Sequence, residues 1–171
     1  MIVKNYKEKA PVLEGCFLAE DVSVIGDVTV KENASIWYGV VLRGDVDTIV
    51  IGENTSIQDN SVVHCATGMP TVIGKNCVVG HNAILHSCTV EEDCLIGMGA
   101  VLLDGCHIGK GSIVAAGSVV SPGKDIPPNS MVMGVPGRVV RELTAKDTEP
   151  TQWSVQHYIA YATEQLQKME P

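Results

Sequence analysis

The sequence predicts an all-β fold: a parallel β-helix of stacked six-residue units, with one α-helix at its carboxy-terminal end. Three observations carry this. Aliphatic residues recur at every sixth position over most of the chain. The residue four places after each of them is usually small. Of the 171 residues, 25 are Val, 13 Ile and 9 Leu, with 17 Gly but only one Phe, two Trp and four Tyr. Such a composition favours strands and tight turns, and its apolar share argues against disorder.

The clearest run is Val90, Ile96, Leu102, Ile108, Val114, Val120 and Ile126. A second is Val12, Leu18, Val24, Val30, Ile36 and Leu42, followed by Ile51, Ile57, Val63 and by Ile73, Val79, Leu85. A helix of 3.6 residues per turn cannot keep period six on one face. Short strands separated by turns can, but a unit that buries one aliphatic residue is stable only when stacked on others. The small residues, among them Ala34, Ser61, Cys77, Ala83, Cys94, Ala100 and Cys106, fit turns packed tightly between units. The cysteines form no C-x-x-C pair and read as small buried hydrophobes.

Breaks in phase mark insertions. Three residues are extra between Leu42 and Ile51, four between Val63 and Ile73, and one is missing between Leu85 and Val90. Extra residues are expected to bulge as loops, the usual place for function. The prism is expected to end near Pro127, and Asn129 to Leu143 reads as a returning segment. After Pro150 the spacing of Val155, Tyr158, Ile159, Ala162, Leu166 and Met169 predicts an amphipathic helix, with Thr148 or Thr151 as its cap. The expected organisation is a β-helical body over 1–133. Residues 134–171 form a returning segment and a helix packed on the prism.

Net charge is −8, and no basic stripe suggests nucleic acid as a partner. No apolar run reaches the length of a membrane span, and Met1 to Ala10 is too polar for a signal peptide. A cytoplasmic protein without disulfides is expected.

Three of the five histidines, His64, His81 and His86, lie close together in the chain. His64 follows the repeat residue Val63, and His86 follows Leu85. Their separation of 22 becomes 18, three units, once the four extra residues are removed. The two should stack one coil apart, about 4.8 Å, and reach one metal ion together. His81 sits two places after Val79 and on another side. A neighbouring copy about a threefold axis would have to supply it. Three His ligands are a recurring set for catalytic zinc. His107 and His157 have no such mate and read as surface residues.

The six-residue pattern over Val12 to Val132 resembles the hexapeptide-repeat superfamily. That resemblance implies a left-handed, three-sided prism with 18 residues per coil. More specifically, Arg43-Gly44-Asp45-Val46, then Ile57-Gln58-Asp59-Asn60-Ser61-Val62-Val63-His64, then Val79-Gly80-His81-Asn82-Ala83-Ile84-Leu85-His86, then Ile96-Gly97-Met98-Gly99-Ala100 resemble the gamma-class carbonic anhydrases and their bacterial relatives. Trp153-Ser154-Val155-Gln156-His157-Tyr158 looks like the start of that family's last helix.

The resemblance implies a homotrimer with a metal site at each interface. His64, His81 and His86 are its ligands to zinc, or alternatively iron. Gln58 contacts the metal-bound water, and Tyr158 approaches the pocket. Arg43 and Asp45 form an interface pair, and Asp59 is a polar neighbour. The small-molecule substrate would be carbon dioxide, attacked by hydroxide to give bicarbonate, with Trp37 and nearby aliphatics as an apolar pocket. Neither nucleic acid nor membrane is an expected partner.

Three departures stand out. Val46 occupies the place of a catalytic Glu, Ser56 replaces an Asn, and the insertion after His64 carries no acidic proton shuttle. Two other readings share the prism. One is an acetyl-CoA-dependent acyltransferase with His81 or His107 as base, suggested by Gly134-Val135-Pro136-Gly137-Arg138. The other is a non-catalytic metal-binding trimer. Fold alone does not choose among them.

Overall fold

The computed structural model describes residues 1–169. Its strands are short, mostly two or three residues, and pair in parallel with strands one coil away. The result is a left-handed, three-sided β-helix. Each face is built by one inward column of aliphatic side chains in direct register. On the first face the column is Val24, Leu42, Val63, Leu85, Leu102 and Val120. On the second it is Val30, Ile51, Ile73, Val90, Ile108 and Ile126. On the third it is Leu18, Ile36, Ile57, Val79, Ile96, Val114 and Val132. All are buried, most of them completely, so the six-residue period is the period of the core.

The turns explain the rest of the pattern. Most corners carry a residue with positive φ, a conformation that Gly, Asn and Asp adopt at least cost. Asn33, Asn54, Asn76, Asp93 and Asn129 fill the corner between the second and third faces; Asn60, Asn82, Gly99 and Gly117 fill the one between the third and first. In the first of these columns the side chains bond upward, Asn54 Nδ2 to Asn76 Oδ1 at 2.9 Å and Asn76 Nδ2 to Asp93 Oδ1 at 3.0 Å. The small residues behind the turns, such as Ala34, Ser61, Cys77, Cys94 and Ser112, are buried. All six cysteines are free.

Three local expectations about the prism need correction. Leu13, not Val12, pairs with Val30 and continues the second column, so the phase slips by one in the first coil. The three extra residues after Leu42 do not leave the sheet as a loop. The strand Val41–Ile51 runs unbroken across a corner, and the excess is taken up as a bulge opposite Asp27. The prism also outlasts Pro127: Ser130–Met133 pairs in parallel with Ile113–Val114, and only then does Arg138–Glu142 return antiparallel.

The helix starts at Ala145 and runs to Met169, taking in Pro150. Neither Thr148 nor Thr151 caps it. Thr144 precedes it, and the Asp147 carboxylate reaches back as in one half of a capping box, accepting from the Thr144 amide at 2.8 Å and hydroxyl at 2.7 Å. Arg141 grips the same carboxylate with two bonds and, with Thr144, holds it well below the usual carboxylate range. This bonding precedes Pro150, so the helix is already nucleated where the proline withdraws one N–H. Val155 and Ala162 are buried against the third face; the side chain of Met169 lies outside the described residues. Residues Ile2–Lys4 add a parallel strand at the open end of the first face, which the sequence pattern does not disclose.

Because Ile57 is completely buried at the middle of the third column, Ile57→Ala is expected to destabilise the fold by about 2–5 kcal/mol. A guanidinium denaturation series read by circular dichroism checks this.

Candidate functional site

The residues named from the sequence fall at the two edges of the first face. Along each coil the chain turns from the third face onto the first, crosses it in about three residues, and turns onto the second. Gln58, Asp59 and His81 sit at the entry edge. Arg43, His64 and His86 sit at the exit edge, on strands Val41–Ile51, Val62–His64 and Ile84–His86.

At the exit edge the stacking follows the eighteen-residue expectation. Arg43 is in register with His64, and His64 with His86. Each follows an inward aliphatic residue, so each points out of the prism. The imidazole centroids are 5.0 Å apart, and His64 Nδ1 lies 3.1 Å from His86 Nε2. Both rings are partly shielded from solvent. Asp45, carried on the bulge, contacts His64 Nε2 at 3.0 Å and Arg43 Nη1 at 2.6 Å. Partial burial pushes the Asp45 carboxyl up, but bonding to Arg43 and His64 outweighs it and holds the group below its ordinary value. Asp104, which the sequence reading did not single out, closes the far end of the chain of contacts at His86 Nδ1.

At the entry edge His81 Nδ1 meets Asp59 Oδ2 at 2.9 Å. Gln58 is almost fully buried. It shares a recess of about 500 Å³ with His81, Met98, Leu95, Trp153 and Tyr158. Tyr158 reaches this recess from the helix. Burial, and then the nearby Asp59 charge, pushes its hydroxyl above the usual tyrosine value. Trp37 is not an open pocket wall. It is buried under the helix, edge-on to Tyr158 at 5.6 Å, and its indole N–H donates to Ser35 and Ser56.

The face is about 10 Å wide for a three-residue strand, which keeps His81 away from His64 and His86 within one chain. Accordingly, among the described residues no three His, Cys, Asp or Glu side chains converge as a metal-holding group. The surface between the two edges is apolar. Val41, Val62, Ile84, Val101 and Val119 form an outward column in register, and Val62 and Ile84 are exposed.

His107 and His157 lie elsewhere. His157 stacks on Trp153 at 4.8 Å. His107, on the second face, is held between Asp125 at 2.7 Å and Glu91 at 3.2 Å. Among the described residues, no helix is long and apolar enough to cross a membrane.

The columns of six place the chain among the hexapeptide-repeat proteins. It matches "Bacterial transferase hexapeptide (six repeats)" over residues 87–122, and "Hexapeptide repeat of succinyl-transferase" over 48–86 and 70–103. It is 51% identical over 142 residues to a protein of Methanocaldococcus jannaschii named "Probable carbonic anhydrase", covering 83% of this chain and 89% of that one. Identity is 44% over 147 residues to a carbonic anhydrase of Geobacillus kaustophilus, covering 85% and 81%. The crystal structure of a hexapeptide transferase family protein from Anaplasma phagocytophilum superposes with a TM-score of 0.91 at 40% identity, covering 95% and 97%. The chain belongs to the gamma-carbonic-anhydrase-like family of hexapeptide-repeat proteins.

The Asp125 carboxylate raises the pKa of His107; partial burial opposes it and Glu91 adds to the rise. A raised folded-state pKa means the stabilisation is complete below the unfolded value of about 6.5 and is lost as pH rises through the folded value. His107→Gln is therefore expected to remove a fall in thermal stability that the unaltered protein shows over that range. Melting temperatures measured in steps of pH check it.

Proposed function

We propose that the chain is a carbonic-anhydrase-like lyase that interconverts carbon dioxide and bicarbonate. It acts as a homotrimer with three equivalent sites between subunits. Each site holds one zinc or iron ion through His64 and His86 of one subunit and His81 of its neighbour. The observation that carries this reading is the disposition of the first face. Two imidazoles stand in register at one edge, the third stands at the other, and an apolar column runs between. Three copies turned with this face inward bring the exit edge of each beside the entry edge of the next.

The donor set fits a metal. Two nitrogen ligands on one tetrahedral zinc lie about 3.3 Å apart, and His64 Nδ1 and His86 Nε2 are 3.1 Å apart already. The relatives named carbonic anhydrase support the activity. Free cysteines suit a reducing compartment such as the cytoplasm.

When bound, the ion supplies Lewis acidity that makes hydroxide available from water at neutral pH. The protein's residues supply the rest. Asp59, on His81 Nδ1, leaves Nε2 of that ring to bind. Gln58 presents a shielded amide beside His81, able to hold the nucleophile or an oxygen of carbon dioxide as charge develops. Tyr158, with its raised pKa, stays a neutral hydroxyl and a hydrogen-bond donor at the rim. Arg43 and Asp45 form an ion pair at the edge where subunits meet. Val46 and the turn Cys65-Ala66-Thr67-Gly68-Met69-Pro70 bring no carboxylate to the site, so the released proton passes to buffer or to another side chain.

A second reading, acyl transfer from acetyl-CoA, is favoured by the naming of the Anaplasma structure as a transferase. It gives no role to the stacked His64 and His86. Saturable acetyl-CoA binding by metal-free protein would support it.

Protein purified without a His tag is expected to hold about one zinc or iron per chain and to hydrate carbon dioxide in stopped flow. His81→Ala should lose the metal and the activity yet sediment as a trimer. Ile84→Asp puts a charge on the apolar column. It should yield a folded monomer in sedimentation that also loses the metal, although its own three histidines are intact. A monomer that retains stoichiometric metal would overturn the shared site.

A further inference from the structure

We propose that Asp104 is a positioning residue that fixes the tautomer of His86. Its carboxylate contacts His86 Nδ1 from the next coil. A carboxylate only accepts, so a neutral His86 carries its hydrogen on Nδ1 and keeps the lone pair on Nε2. His86 Nε2 is the atom that faces His64, at 3.1 Å. Asp45 on His64 Nε2 likewise leaves the lone pair on His64 Nδ1, so the two facing nitrogens are both acceptors when the rings are neutral. Asp59 stands beside His81 Nδ1 at 2.9 Å at the entry edge.

The fold does not demand an aspartate at this place. The turn Leu103-Asp104-Gly105 repeats one coil on as Ser121-Pro122-Gly123, with proline in the same position, and Gly105 and Gly123 both have positive φ. In both turns the backbone needs only that glycine. Asp104 is also half-exposed, so the core gains nothing from it. Its carboxylate is explained by the imidazole it touches. Partners of this kind orient metal-binding histidines, and their removal weakens metal binding by about 10- to 100-fold.

The tautomer is independent of the proposed function, whereas its consequence for metal binding rests on that reading. The test measures both. Metal-free protein labelled with ¹⁵N-histidine gives the tautomer of neutral His86 from long-range ¹⁵N–¹H correlations, and zinc titration gives affinity. Asp104→Ala is expected to move His86 away from the Nδ1–H form and to weaken zinc binding by about 10- to 100-fold. Asp104→Glu should restore part of both, and melting of the metal-free protein should not change. If His86 loses the Nδ1–H form in Asp104→Ala while neither protein binds zinc, the positioning role stands and the metal reading falls. If His86 keeps the same tautomer in Asp104→Ala, the proposal is overturned whatever the zinc affinity.

Discussion

The parallel register from coil to coil is the constraint on which everything else depends. Backbone hydrogen bonds hold each strand one spacing, about 4.8 Å, from the strand a coil away, and register admits little slip because a one-residue shift would turn every inward aliphatic outward. Equivalent positions are thereby forced into columns. A column of Val, Ile and Leu becomes core; a column of Asn, Asp and Gly becomes a corner. A column of Arg43, His64 and His86 becomes a line of functional groups at one strand spacing. A straight prism offers lines of side chains and little else. Two ligands on one line can share an ion, but the third ligand of a tetrahedral set must lie off it. No other column of the same face is near enough, so a site of this kind asks for a second molecule.

The same constraint decides what was legible in the sequence. The prism was, because each short strand contributes one inward residue and the period of the chain became the period of the core. The stacking of His64 on His86 was legible too, once the four residues of the Cys65–Pro70 turn were set aside. The neighbouring insertion was not read correctly. Extra residues can stay hydrogen-bonded as a bulge, and only the opposing strand shows that Asp45 is thereby presented to His64. The helix start was masked by Pro150, usually a boundary signal. The feature that overrides it is local: Asp147, three residues after Thr144, bonds back to the Thr144 amide and hydroxyl before the proline is reached. Asp104 was not legible from the eighteen-residue spacing, because the residue missing after Leu85 shortens this coil to seventeen and puts Leu103, not Asp104, in register with His86.

Shape and charge divide the work along the first face. Its outward column of Val41, Val62, Ile84, Val101 and Val119 is uniform and aliphatic, and burial of such surface is the main source of association energy. Uniformity has a cost in specificity. In the proposed trimer, a neighbour slid along the prism by one coil would meet nearly the same apolar column and lose little contact. The edges do not repeat in this way. Arg43, Asp45, His64, His86 and Asp104 form a single series of contacts that occurs once along the exit edge, and His81 with Asp59 forms another at the opposite edge. Moving a subunit by a coil would part His81 from the imidazole pair and leave charged groups against aliphatic ones, a cost that grows with their desolvation. The apolar column thus supplies affinity without register, and the histidine edges supply register. On this argument the residues proposed to hold the ion are also those that make one alignment of the three prisms better than its neighbours.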